Sequence, residues 1–323
     1  MIQATGVGVH SESGGGIELN RLYRVFGKTV AVRDVTFTVP AGSVFGYIGP
    51  NGAGKTTSMR ILATLDLPTY GDAFVDGFSV IHDPELVRRR LGFMPDAFGT
   101  YRDVSCAEYL DFFARAYGLV GRDRQRRLDW VTDFTGIGGM RDKPISGLSK
   151  GMKQRLCLGR ALIHDPAVLI LDEPAAGLDP RARIELRRMI GSLAAESKTV
   201  LISSHILTEL AEICDRVGII EQGELLVTGT VEEIKQAQQQ TRELTIRVIA
   251  EIDAALGFLQ QEANCENIIR DGELLRFGFH GDVDGQAELI TALVGQGCRI
   301  AEVHSHQRSL EDIFLHITEG LVQ

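Results

Sequence analysis

Nowhere in the 323 residues does an apolar run approach the ~20 residues that a membrane-spanning helix needs, because charged or turn-forming residues interrupt every candidate. Positive charge is in deficit as well. With 34 Lys and Arg against 43 Asp and Glu, the net charge of −9 disfavours nonspecific attraction to nucleic acid or to an anionic membrane surface, and no nucleic-acid partner is expected. Any membrane attachment should therefore run through a protein partner. Cys106, Cys157, Cys214, Cys265 and Cys298 stand singly, without the close pairing that holds zinc or carries out redox chemistry, which fits a reducing cytosol. No internal repeat and no heptad array is found. Met1 to Gly16 has neither the basic start nor the apolar stretch of a secretory signal, and its Ser13-Gly14-Gly15-Gly16 ending reads as a flexible tail.

What is present is a chain 44% hydrophobic and 24% charged, the balance of a soluble globular protein with room for about two domains. Its most informative stretch is Gly49-Pro50-Asn51-Gly52-Ala53-Gly54-Lys55-Thr56-Thr57, which meets the pattern G-x-x-x-x-G-K-[ST] without a gap. Wrapping backbone closely around a triphosphate requires glycine dihedrals and bare N–H groups, and a following helix turns its positive end to the anion. Lys55 would hold the β- and γ-phosphates and Thr56 would place its hydroxyl on Mg²⁺. The apolar Ser43 to Ile48 reads as a buried strand entering this loop, and Thr57 to Ala63 as the helix leaving it.

Before the loop, Ile17 to Val39 has the look of antiparallel strands turning at Gly27-Lys28. After it comes a turn at Pro68 to Asp72, then a short strand at Leu91-Gly92-Phe93-Met94 stopped by Pro95. Ser105 to Met140 changes to helical periodicity, so an insertion is expected over about residues 100–147, with Arg122 to Arg127 a solvated helix face. Lys150 to Ile163 and Arg181 to Glu196 read as helices. Ala167 to Leu171 and Thr199 to Ser203 read as fully buried strands of a parallel sheet. Beyond Glu232 the run Gln236-Ala237-Gln238-Gln239-Gln240 suggests a helix end or linker. From 241 to 323 the order β-α-β-β-α-β-α, ending in a helix from Leu310 to Thr318, points to a small ferredoxin-like accessory domain.

Four further motifs follow the phosphate loop: Leu148-Ser149-Lys150-Gly151-Met152-Lys153-Gln154-Arg155, then Val168 to Pro174 with its Asp172-Glu173 pair, then Ala176-Gly177-Leu178-Asp179-Pro180, then Ser203-Ser204-His205. Taken alone, each has an ordinary structural explanation: a capped helix, a strand meeting an acidic cap, a turn, a buried histidine. In this order and spacing they resemble the ATP-binding cassette (ABC) ATPases over residues 17–235. The resemblance implies an α/β phosphate-loop core with an antiparallel β part and a helical insertion, and an ATPase using ATP and Mg²⁺. Asp172 would share the metal with Thr56, Glu173 would be the base for water, and His205 would contact the γ-phosphate and hold Glu173. Ser149 and the Gly151 amide would face the γ-phosphate bound by a second copy, in a head-to-tail homodimer with ATP between the subunits. The commonest form of the family has glycine where Lys150 stands and glutamine where Met152 stands.

Phe26 occupies the position of the family's adenine-stacking ring, and stacking is the expectation, although a Phe in a strand-rich region is by default a core residue. Asp96 stands where most members carry a glutamine that contacts Mg²⁺ and senses the transmembrane partner, and a carboxylate can also serve as a metal ligand. Ser309 to Leu315 resembles the ending of ATPase subunits of ABC-2-type transporters, bacterial systems that export drugs, antibiotics or polysaccharides. The expectation is thus an ATPase subunit driving a separate permease at the cytoplasmic face of the membrane, with the insertion as the docking region. The alternatives are a cytosolic ABC protein gating the ribosome or DNA, and an unrelated phosphate-loop kinase or GTPase. One cassette without a coiled coil argues against the first, and the Ser149 motif with Glu173 against the second.

Overall fold

The computed structural model describes residues 16–97, 99, 103–238 and 241–306. The expected tail and the helix from Leu310 to Thr318, with the Ser309 to Leu315 motif, lie outside the described residues. Between Thr230 and Val231 the chain divides into two compact units.

The first unit opens with β1 (Ile17–Phe26) and β2 (Thr29–Val39), antiparallel as the sequence suggests and joined at Gly27. There follow β3 (Val44–Ile48), α1 (Lys55–Leu62), β4 (Tyr70–Val75), β5 (Phe78–Ser79), α2 (Pro84–Arg90) and β6 (Leu91–Met94). The helical insertion contains α3 (Cys106–Ala116) and α4 (Gly121–Phe134), after which α5 (Lys150–Leu162), β7 (Val168–Leu171), α6 (Pro180–Ala195), β8 (Thr199–Ser204), α7 (Leu207–Ala211), β9 (Arg216–Glu221) and β10 (Glu224–Gly229) complete the unit. One sheet has the order β2-β1-β4-β5 and the other β10-β9-β3-β8-β7-β6. Residues from both build one core, in which Phe37 of β2 stacks on Phe45 of β3 with ring centroids 5.0 Å apart.

The second sheet positions the motifs. Its strands β9, β3, β8, β7 and β6 run parallel, and the register aligns Ile48 with Ser204 and with Ile219, Leu171 with Ile202, and Met94 with Leu171. Every one of these strands therefore releases its chain at the same edge. The phosphate loop leaves there from β3, Pro95-Asp96 from β6, Asp172-Glu173 from β7 and His205 from β8. All-apolar strands such as Val168–Leu171, buried at every residue, are what a sheet covered on both faces requires.

The insertion starts with a capping box: the Ser105 hydroxyl accepts the Glu108 N–H while the Glu108 carboxylate accepts from the Ser105 backbone, which holds the Glu108 carboxyl below its usual range. Helices α3, α4 and α5 pack on one another, and Gly159 of α5 permits the approach, since a Cβ there would lie 2.9 Å from Val131 Cγ1. Tyr117 at the end of α3 stacks on His164 with centroids 3.8 Å apart, and the His164 Nε2 meets the Leu91 carbonyl at 3.1 Å. Burial pushes the His164 pKa down to about 4, so the ring is neutral and Nε2–H is the donor. Arg127, from the face expected to be solvated, instead donates to the Leu162 and Ile163 carbonyls at the end of α5 and lies over Trp130. A guanidinium can cap a helix end that charge patterning alone assigns to water.

The second unit contains α8 (Val231–Gln238), β11 (Thr241–Ala250), α9 (Ile252–Gln261), β12 (Cys265–Asp271), β13 (Leu274–His280), α10 (Val283–Gly295) and β14 (Arg299–His306). Its sheet has the order β12-β13-β11-β14 with antiparallel neighbours throughout, the ferredoxin-like arrangement. Leu244, Ile246 and Val248 alternate inward from β11 and Leu275, Phe277 and Phe279 from β13, to meet Leu259 and Leu293 of the helices. Strand β14 runs from Arg299 to His306. Its polar residues pair across to β11, as in Arg247 Nη2 to Glu302 Oε1 at 2.5 Å. Among the described residues no helix is long and apolar enough to cross a membrane.

Candidate active site

The loop from Gly49 to Gly54 is closely backed by other parts of the chain. A Cβ at Gly49 would lie 2.2 Å from the Ile220 carbonyl oxygen, and one at Gly54 2.4 Å from that of Ala31; Gly54 also has φ of 105°, open to glycine alone. The Gly49 N–H donates to the Ser204 carbonyl and the Gly223 N–H to that of Ala53, so β8 and the β9–β10 turn fix the loop from behind. After half-buried Pro50, Asn51 and Gly52 form its exposed crest and Ala53 turns into the core, and Thr56 and Thr57 follow Lys55 in the first turn of α1. The orphan N–H groups of that turn make this helix start a receptor for anions.

Lys55 is only 5% exposed, and its Nζ donates to the Gly49 carbonyl at 2.6 Å and the Pro50 carbonyl at 3.2 Å. It also forms an ion pair with Glu173 Oε1 at 3.4 Å. The other oxygen, Glu173 Oε2, meets His205 Nδ1 at 2.9 Å. A carboxylate only accepts, so this ring nitrogen carries the proton. Glu173 itself has φ of 48°, a left-handed conformation costing roughly 1–2 kcal/mol for a residue with a Cβ.

Asp172 beside it is almost fully buried. Its Oδ1 accepts from Ser203 Oγ at 2.7 Å, and its Oδ2 is buried without a hydrogen bond. Burial raises its pKa above the usual carboxylate value, against the pull of the Ser203 and Thr56 hydroxyls, while the charges of Glu173 and Asp96 push it further up. A buried, raised carboxylate with a spare oxygen next to a threonine hydroxyl is a donor set suited to a hard divalent cation, which would lower that pKa again. Asp96 is exposed, within electrostatic reach of this pair.

Lys55, Asp172, Glu173 and His205 thus form one connected group. Ser149 and Gly151 belong to a second. The Ser149 hydroxyl caps α5 by accepting the Met152 N–H at 3.3 Å, and Gly151 lies against Leu178 and Ala182. Lys150 lies along the turn before α6, where a Cβ on Gly177 would meet its Nζ at 2.6 Å. Asp179 caps α6 through the Ala182 N–H at 3.0 Å. Phe26, at the end of β1, is 46% exposed and so is not a core residue; the Arg24 guanidinium lies over its ring at 4.3 Å, tied to Asp66 at 2.6 Å. The motif Ser203-Ser204-His205 gave a role to His205 alone, yet Ser203 also accepts the Glu173 N–H at 2.8 Å. Its signal in the sequence was its place at the head of that motif, two residues before His205.

The family model described as ABC transporter matches residues 32–176. The ABC transporter ATP-binding protein NatA of Bacillus subtilis is 38% identical over 210 residues, 65% of this chain and 85% of that protein. The bacitracin transport ATP-binding protein BcrA of Bacillus licheniformis is 32% identical over 307 residues, 94% of this chain and 97% of that protein. The Nod factor export ATP-binding protein I of Sinorhizobium fredii is 39% identical over 219 residues, 68% of this chain and 64% of that protein. Among solved structures, the ATP-binding subunit of an ABC transporter superposes with a TM-score of 0.64 at 30% identity, covering 69% of this chain and 93% of that one. Sheet, phosphate loop and relatives extending over nearly the full chain agree, and the chain belongs to the ATP-binding, ATP-hydrolysing proteins of the ABC transporter family.

Proposed function

We propose that this chain is the motor of an ABC-2-type exporter: two copies close head to tail on two ATP molecules and drive a separate permease at the cytoplasmic face of the membrane. The observation that carries the reading is the connected group in which Glu173 is held between Lys55 and His205 beside buried Asp172. Lys55 neutralises the β- and γ-phosphates, Glu173 takes the proton of the attacking water, and His205 keeps Glu173 aligned. Thr56 and Asp172 would hold Mg²⁺, with exposed Asp96 as a further carboxylate, and the ion would supply positive charge to the phosphate oxygens. The exposed ring of Phe26 stacks on adenine, and Arg24 fixes its other face. Ser149 and the Gly151 amide complete the site of the opposite copy.

The transport half of the proposal is supported by relatives named for bacitracin transport and Nod factor export, and points to a drug, antibiotic or polysaccharide as cargo. The insertion offers the docking face, since Phe112, Tyr117 and Val120 are all exposed there. Purification of the tagged chain from detergent-solubilised membranes is expected to bring down a polytopic membrane protein at a fixed ratio. Recovery only with ribosomes, or only in the soluble fraction without any membrane partner, would rule out the exporter motor.

Residues 241–323 are proposed to be an accessory domain, because the second unit has a core of its own. A chain ending at 240 is expected to remain soluble and to bind ATP with unchanged affinity by calorimetry. Insoluble or nucleotide-blind protein would mean that the two units depend on one another to fold.

A further inference from the structure

Ser203 is 1% exposed, and its single hydroxyl serves two groups at once. Oγ donates to Asp172 Oδ1 at 2.7 Å and accepts the backbone N–H of Glu173 at 2.8 Å. An ionised carboxylate can only accept and an amide N–H can only donate, so the hydroxyl proton is committed to Asp172 and a lone pair to Glu173. That amide belongs to a residue at φ of 48°, a conformation that persists only where the surroundings enforce it. The Glu173 side chain is held separately, by His205 and Lys55. If the peptide relaxed toward an ordinary φ, the carboxylate would swing away from both.

A buried serine hydroxyl is unfavourable unless it is bonded, and both bonds of Ser203 go to the Asp172-Glu173 pair. We infer that Ser203 is a positioning residue for hydrolysis, whose hydroxyl ties the side chain of Asp172 to the backbone of Glu173 and so fixes the two carboxylates relative to one another. The inference rests on the proposed roles of those two residues. Ser203 is buried and acts through Glu173, so its loss should affect turnover and leave binding intact.

The test compares Ser203→Ala, Ser203→Thr and Glu173→Gln in the full chain. Ser203→Ala is expected to bind ATP without Mg²⁺ with a Kd within about threefold of the parent, and to lose about 10- to 100-fold in kcat with KM changed by less than about threefold. Ser203→Thr keeps the hydroxyl and is expected to regain most of the lost kcat. An unchanged kcat in Ser203→Ala overturns the inference. So does a parallel loss of ATP affinity and kcat that threonine does not restore, which would make the residue a packing element. Should the alanine variant not fold, Ser203→Cys, with a weak donor and acceptor of similar size, is judged by the same criteria. Glu173→Gln separates the two levels: hydrolysis surviving there removes the base on which the inference rests, whereas hydrolysis lost there but intact in Ser203→Ala removes only the role of Ser203.

Discussion

Lys55→Ala is expected to abolish measurable ATP binding. The ammonium is buried, aimed by the Gly49 and Pro50 carbonyls across the mouth of the loop, and is the cation that the phosphates would meet beside the N–H groups of α1. Removing one partner of a desolvated charge pair typically costs about 2–5 kcal/mol, a loss of roughly 30- to several-thousand-fold in affinity. The same change strips Glu173 of its ion pair, leaving its carboxylate beside that of buried Asp172 without the cation. The melting temperature should therefore fall too, and Glu173→Gln placed in the Lys55→Ala background should recover part of that fall without restoring nucleotide binding. Calorimetry with Mg²⁺ present and circular dichroism of the same samples separate the two effects. Parental affinity in a folded Lys55→Ala protein would withdraw the loop from the nucleotide site altogether.

The parts of this site that could be read from sequence are those whose chemistry is local. A phosphate loop needs its glycines and lysine at fixed offsets, so Gly49, Gly54 and Lys55 announce themselves. A strand buried on both faces needs consecutive apolar residues, so Val168–Leu171 and the carboxylates after it stand out. What could not be read depends on contacts distant in the chain. The carbonyls of Ile220 and Ala31 that press on Gly49 and Gly54 come from either side of the motif, and nothing in their sequences marks them. Ser203 reads like any serine near a strand end, because its importance lies in Asp172 and Glu173, about 30 residues away. Phe26 could not be assigned to core or surface, since alternation is weakest at the last residue of a strand; the fold turns it outward, under Arg24. The extent of β14 is hard to read for the opposite reason: as an edge strand it carries Glu302 and His304, whose polarity masks its extended backbone.

Glu173→Gln is expected to bind ATP, to hydrolyse it about 100- to 10,000-fold more slowly, and to accumulate as a dimer. The amide keeps the shape of the side chain and can still meet His205, yet it cannot take a proton from water. It also removes a negative charge beside Lys55, so the γ-phosphate gains an undivided cation and the bound state should tighten. Asp172→Asn should behave differently. Its spare buried oxygen is the one proposed to face the metal, so binding of Mg²⁺-ATP should itself weaken, whereas binding of ATP without metal should change little. On the proposed arrangement the dimer should depend on the second group of residues, because Ser149 and Gly151 lie outside the connected group around Lys55 and would complete another copy's site. A positively charged, bulky side chain in place of the α5 cap removes the hydroxyl and blocks the approach of the facing loop. Light scattering of Glu173→Gln with ATP, with and without Ser149→Arg, is the measurement. A dimer in the first sample and a monomer in the second is the expected pair of results; a monomer in the first, or an unchanged dimer in the second, would exclude a nucleotide sandwich and with it the coupling of two ATP molecules to one transport cycle.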